Sequence, residues 1–269
     1  MRLLDLFSGI GGFHYAADQV WENVECVGHV ETDKICQGVL EKQFPGIHNY
    51  GDIRKFNSWG NIKSVELICG GDPCPMRSKA KSIWKTKSPD LSGYFLAVVG
   101  RFQPRWVVRE NVPASDDCHF SACLEMLGYR TVIIATNATA VTAQNRERDF
   151  IVGCYPEVFE KFIGRLPIHK SNKRYYEAKY QKIPAYPVLT THPCRWDARD
   201  GYIWDGSGLR VANSEERRKL AGFPVGWLDG LSKTAVAKMT GNAIVPQCVM
   251  PIMQAIKEID SMTKKGFKV

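Results

Sequence analysis

Short apolar runs alternate with amphipathic stretches through the first half of the chain. RLLDLF reads as a strand, GGFHYAADQVW as a helix, VECVGHVE as a strand and TDKICQGVLEKQF as a helix. VELICGG, PRWVVREN, YRTVIIATN and RDFIVGCY continue as strands, with LSGYFLAVVGRF and HFSACLEMLG as helices between them. Alternating βα units predict an α/β fold, a doubly wound and mostly parallel sheet. Ligands in such sheets bind beyond the carboxyl ends of the strands. The pattern changes after Tyr155. Residues 156–186 are rich in Lys, Arg and Tyr and carry no clear period. YPVLTTHPCRW and DGYIWDG follow as short extended pieces. A helical pattern resumes at NSEERRKLAGF, where Asn213 or Ser214 is a fitting N-cap ahead of Glu216. A last helix starts near Pro246, a favoured first-turn residue, and contains a second proline, Pro251.

The polar residues gather at strand ends. The first strand runs into DLFSGIGGF, the second ends at Glu31, and a short strand after it ends at GDI with Asp52. The next ends at Gly70 and leads to Cys74; the one after ends at Glu110–Asn111. Packing alone does not deliver such groups repeatedly to one sheet edge. Gly9, Gly11 and Gly12 let the backbone turn tightly and approach a ligand. No P-loop lysine follows, which argues against a nucleoside triphosphate. Glu31 lies about twenty residues on, where an acid grips ribose hydroxyls. Asp52 is then placed to accept from an adenine amino group. The ligand implied is an adenosine without demanding phosphates. S-adenosylmethionine fits, and NAD satisfies the same features.

Cys74 stands between Pro73 and Pro75 at the end of a buried strand. A free cysteine is ordinarily a small buried hydrophobe. Here prolines fix the backbone on both sides, and a basic tract follows with Arg77, Lys79, Lys81, Lys85 and Lys87. Nearby positive charge favours the nucleophilic thiolate. Glu110, at the end of WVVREN, is a candidate acid if it sits in a pocket; the alternative is an ion pair with Arg109 or another cation. Gln144, Arg146 and Arg148 occupy every second position of QNRERDF and so share one strand face. Two aligned arginines suit a phosphate or a base edge, or make surface ion pairs.

Composition narrows this only a little. The chain has 269 residues, 44% hydrophobic and 24% charged, within the range of ordinary globular proteins. No run approaches a membrane span, and the first residues enter a strand directly, so neither an anchor nor a signal peptide is expected. Nine cysteines without a CxxC pair predict free thiols, a cytoplasmic setting and no metal site. The net charge of +8 is compatible with a polyanionic partner.

The ordered set DLFSGIGGF, VE, GDI, GGDPCP, RENV, QNRERDFIVG, EERRKLAGFP and GNAIVP resembles the DNA (cytosine-5) methyltransferases, and covers nearly the whole chain. The resemblance implies a catalytic domain of the S-adenosylmethionine-dependent methyltransferase type, formed by residues 1–155 plus about 240–269. It also implies a small target-recognition domain over about 156–239, with double-stranded DNA held between the two. By this resemblance Cys74 is the nucleophile that attacks C6 of a flipped-out cytosine. Glu110 holds N3 and the exocyclic amine, and Arg146 and Arg148 steady the base and the site. Phe7, Gly9, Gly11, Glu31, Asp52, Ile53 and Pro73 fall at cofactor positions, and Phe95 and Asn242 border the same pocket. Arg77, Lys79, Lys81, Lys173 and Arg174 are candidate DNA contacts, the last two within a tract that interleaves cations with Tyr175, Tyr176 and Tyr180. The expected protein is a monomeric enzyme of a restriction–modification or phage type, with a cognate restriction endonuclease as a partner.

The family usually has Phe or Pro at the position of Asp72, and Gln at that of Pro75. An acid facing the thiol disfavours the thiolate, so Asp72 is expected to point away from Cys74, toward the cofactor side or a cation. Two other readings share the fold: an RNA (tRNA) cytosine-5 methyltransferase, and an inactive homologue that binds DNA or S-adenosylmethionine.

Overall fold

The computed structural model describes residues 1–60, 62–73, 89–113, 117–142, 144–166, 202–204 and 209–264. β1 (Arg2–Leu6), β2 (Glu25–Val30), β3 (Leu67–Gly70) and β4 (Trp106–Asn111) pair in parallel. β5 (Arg130–Asn137) and β6 (Glu147–Cys154) complete the sheet in the order β2-β1-β3-β4-β6-β5. β6 runs antiparallel to both of its neighbours, β4 and β5. The expectation of a mostly parallel, doubly wound sheet holds, with one reversed strand near its edge. β3 and β4 are buried at every position, as parallel strands covered on both faces should be.

Alternation divides the core into two layers. Leu3, Trp106 and Val108 face one side, packed with α1 (Gly12–Val20), α6 (Pro156–Ile163) and α9 (Pro246–Lys264). Leu4, Ile68 and Val107 face the other, with α3 (Ser92–Phe102) and α4 (Asp117–Met126). A third cluster joins α2 (Lys34–Gln43) to α8 (Lys233–Asn242) and the loop before it through Leu40, Phe44, Phe223, Trp227 and Met239. The N-terminal and C-terminal helices meet directly, α9 lying against α1, with Lys257 Nζ donating to the Val20 carbonyl at 2.8 Å.

Several elements differ from the sequence reading. The short strand expected at GDI is only a single bridge between His29 and Asn49, after which Asp52 caps a short 3-10 helix (Ile53–Ser58). Residues 156–163, read as lacking period, form α6, whose Val158 and Phe162 pack into the first core layer. α8 was not expected. α7 (Ser214–Leu220) begins as predicted, with Asn213 and Glu216 forming a reciprocal capping box. Pro251 lies inside α9 without ending it. β7 (Tyr202–Trp204) pairs with β8 (Leu209–Val211), and YPVLTTHPCRW lies outside the described residues. Among the described residues no helix is long and apolar enough to cross a membrane.

Candidate active site

The loop after β1 is built from the backbone outward. Phe7, Gly9 and Gly11 all have positive φ, at 53°, 53° and 83°. Gly11 has a second reason to be glycine, because a Cβ there would stand 2.4 Å from the Phe44 ring. Ser8 stitches the loop to β2: its N–H donates to the Val30 carbonyl and its Oγ accepts from Val30 N. The Trp227 indole caps the loop from the other side, donating to the Ile10 carbonyl at 3.0 Å. Glu31 is fixed by two backbone donors, Gly9 N–H to Oε2 at 2.8 Å and Asp33 N–H to Oε1 at 2.7 Å. Each oxygen keeps a further lone pair for a ligand.

Asp33 caps α2 through Ile35 and Cys36 N–H, and Lys238 of α8 reaches its Oδ2 at 2.5 Å. Burial works to raise the Asp33 pKa, but the Lys238 and N–H hydrogen bonds outweigh it and hold the carboxyl below its usual range. Asp52 sits at the same end, yet Arg54 grips its carboxylate with a closest approach of 2.6 Å. That hydrogen bond lowers the Asp52 pKa. The carboxylate expected to meet an adenine amino group is thus already engaged.

The other end of the site is carried by β3, β4 and β6. Gly71 approaches β4 so closely that a Cβ would lie 2.9 Å from Glu110 Oε2. Glu110 pairs with Arg148, whose Nε stands 2.7 Å from Oε1. The contact is ionic but lacks hydrogen-bond geometry, so Oε1 is buried without a hydrogen-bond donor. Arg146 behaves differently from Arg148. It is buried, and its two terminal nitrogens donate to the carbonyls of Gly241 and Ala243 at 3.0 and 2.8 Å. Burial, together with the nearby Arg148 charge, lowers its pKa to about 9, which leaves it charged at neutral pH. Asp72 makes a two-pronged ion pair with Arg109, at 2.5 Å to Nε and 2.9 Å to a terminal nitrogen. The carboxylate two residues before Cys74 therefore meets a cation.

Both ends open into one cavity of about 540 Å³. Phe7, Gly9, Glu31, Asp52 and Ile53 line one end; Pro73, Glu110, Arg146, Arg148 and Asn242 line the other. Phe95 does not line it. It is fully buried behind Phe7, with the ring centroids 6.4 Å apart and nearly parallel. Gly11 also stays off the surface of the cavity, as the cap of α1. Cys74, Arg77, Lys79, Lys81, Lys173 and Arg174 lie outside the described residues. The structure adds Asp33, Asn111, Lys238 and Met239 to the lining. The two on α8 were missed with that helix; a capping aspartate before α2 was the readable signal for Asp33.

One group beneath the loop has metal-ligating side chains, His14, Cys26 and His29, with donor atoms within 4.8 Å of one another. His14 Nδ1 and His29 Nε2 stand 2.9 Å apart and satisfy each other by a hydrogen bond between neutral rings. All three are buried and none lines the cavity.

A doubly wound sheet with one reversed strand, bearing a glycine loop, an acid at the end of β2 and a cleft at its carboxyl edge, has the fold of the S-adenosylmethionine-dependent methyltransferases. A solved mutant of DNMT2 from Spodoptera frugiperda shares that fold, with a TM-score of 0.69 at 12% identity over 95% of this chain and 99% of its own. The chain belongs to the C-5 cytosine-specific DNA methylase family, whose profile matches residues 1–191. The type II methyltransferase M.BsuFI of Bacillus subtilis is 24% identical over 301 residues, covering 96% of this chain and 73% of its own length. The type II methyltransferase M.HgiCII of Herpetosiphon aurantiacus is 32% identical over 189 residues, 65% of this chain. That match spans only 42% of M.HgiCII itself.

Proposed function

We propose that the chain methylates C5 of cytosine in double-stranded DNA, using S-adenosylmethionine and a covalent bond from Cys74 to C6. The observation that carries this reading is the single cavity, which joins the Gly9–Glu31 end to the Pro73–Glu110–Arg148 end. The residues present fit the cofactor. Glu31 is held with lone pairs to spare for ribose hydroxyls, and the volume lies within the range of small-molecule sites. When bound, S-adenosylmethionine supplies an electrophilic methyl group on a sulfonium.

Cytosine C5 is a poor nucleophile. Addition of the Cys74 thiolate at C6, with Glu110 holding a proton at N3, makes C5 enamine-like and able to accept the methyl group. Loss of the C5 proton then restores the double bond and expels the thiolate. Arg148 pairs with Glu110 at Oε1 and so fixes the carboxylate that lines the cavity. A duplex target must leave its stack to reach such a cleft. Arg77, Lys79, Lys81, Lys173 and Arg174 are proposed phosphate contacts, and the basic, tyrosine-rich stretch within 156–186 is the proposed reader. Its shortness points to a short or degenerate site. The names of the curated relatives support a restriction–modification setting, with a cognate endonuclease as the proposed partner.

Bisulfite sequencing of duplex DNA treated in vitro, alongside methyl transfer to tRNA, tests substrate and site together. We expect 5-methylcytosine at a short motif in DNA, lost in Cys74→Ser while cofactor binding survives. Transfer to tRNA alone would move the substrate to RNA, and full activity of Cys74→Ser would remove the covalent route.

A further inference from the structure

Arg109 and Glu110 are neighbours on β4, and the period of a strand sends them to opposite faces. Glu110 faces the cavity, while Arg109 enters the layer of α4. There its guanidinium lies 4.2 Å from the centre of the Phe120 ring and reaches Asp117 Oδ1 at 3.3 Å. Its main partner is Asp72, held at both carboxylate oxygens. Asn111 adds a donor 3.4 Å from the Asp72 main-chain carbonyl. Asp72 and Arg109 are 6% and 1% exposed, so the pair is largely shielded from water.

We propose that the Asp72–Arg109 ion pair is the positioning device for the Cys74 nucleophile, an inference that rests on the methyl-transfer reading above. Only Pro73 separates Asp72 from Cys74, and proline fixes φ, so few rotatable bonds lie between the anchor and the thiol. The register supports the same end. Gly70 pairs with Arg109 across the parallel strands, so the anchor and the start of the loop are held by one residue. Gly71 rests against Glu110, which seats the loop on the other face of β4. One dipeptide, Arg109–Glu110, thus holds Asp72 with its first side chain and lines the cavity with its second. A buried ion pair contributes little net stability compared with apolar residues of similar volume. The two-pronged geometry instead restricts direction, which apolar packing does less strictly.

The test compares the wild type with Asp72→Asn, Arg109→Lys and the double variant. Each is trapped on a duplex carrying 5-fluorocytosine at the methylated position. The trapping rate is expressed per competent site, counted by the final adduct, and set beside the dissociation constant for S-adenosylmethionine and the melting temperature. We expect both single variants to trap at least about 10-fold more slowly per site, with cofactor affinity within about twofold. The double variant should lie within about threefold of the slower single one, because the two side chains act as a unit. If Asp72→Asn does not fold, Arg109→Lys keeps the charge without the two-pronged grip and carries the comparison. Single variants that trap at the wild-type rate per site, with only a lower melting temperature, would overturn the proposal and leave the methyl-transfer reading intact. A double variant whose losses multiply would do the same. Wild-type protein that forms no adduct and transfers no methyl group would overturn both.

Discussion

A single missing side chain lets the two halves of the site share a wall. Gly71 lies where any Cβ would press on Glu110, 2.9 Å from Oε2 and 3.4 Å from its main-chain oxygen. Glu110 cannot yield easily, because Arg148 holds its other oxygen. Gly71→Ala is therefore expected to displace the carboxylate and slow methyl transfer by about 10-fold or more, while costing about 1–3 kcal/mol as an overpacking change. Turnover and chemical denaturation on the same preparation check this; an alanine variant with wild-type turnover would show that the contact does not constrain Glu110. The two arginines of QNRERDF also separate at this scale. Arg148 serves the carboxylate in the cavity, whereas Arg146 spends its terminal nitrogens on backbone carbonyls. Sequence alternation predicted their shared side but not this division.

Those carbonyls belong to the end of α8, so Arg146 acts between elements. It ties the start of β6 to the turn that leads from α8 into α9. Arg146→Met would leave the Gly241 and Ala243 carbonyls without their charged donor, at a cost of about 3 kcal/mol. Hydrogen exchange should show α8 and the start of α9 losing protection more than β1 or β3. Uniform loss across the sheet would contradict a local latch. The elements that the sequence revealed are those with contiguous apolar runs, β1 through β6, and those with a capping signature, such as Asn213 ahead of α7. α8 was hidden because its buried face mixes Val236, Ala237, Met239 and Thr240, with no apolar stripe to mark a period. α6 was hidden by its surroundings, a short helix entering a tract of Lys, Arg and Tyr. The site was legible wherever a strand end named its residue. It was illegible where a partner comes from far along the chain, as Arg109 does to Asp72, or where a local cation intercepts an acid, as Arg54 does Asp52.

For the molecule as a whole, the buried histidine pair makes stability depend on pH. Burial, joined at His14 by the neighbouring His29, lowers the two pKa values to about 3 and about 4. An unfolded histidine takes up its proton near 6.5, so below that pH the unfolded chain binds protons that the folded chain refuses. Stability should fall from pH 7 to pH 5 by roughly 2 kcal/mol for each histidine. Acids face the same rings. Asp18 lies 3.7 Å from His14 Nε2, and burial raises its pKa. Asp5, raised by burial and by Glu31, holds its proton where the unfolded chain has released it, which favours the folded state as pH falls through its raised value. Urea melts of wild type and His29→Phe at pH 7 and pH 5 isolate the histidine contribution. The variant should show the shallower decline, and parallel declines would assign the effect elsewhere.

The packing of α1 against α9 has a consequence for how the chain is made. Synthesis delivers α1 long before α9, so the apolar side of α1, with Phe13 and Ala17, waits uncovered until α9 emerges. The helix that anchors the glycine loop is thus completed by a contact of very long sequence separation, a kind that slows folding. Newly made protein should gain cofactor affinity only after α9 has emerged from the ribosome, and a nascent chain stalled before Pro246 should bind chaperones rather than S-adenosylmethionine.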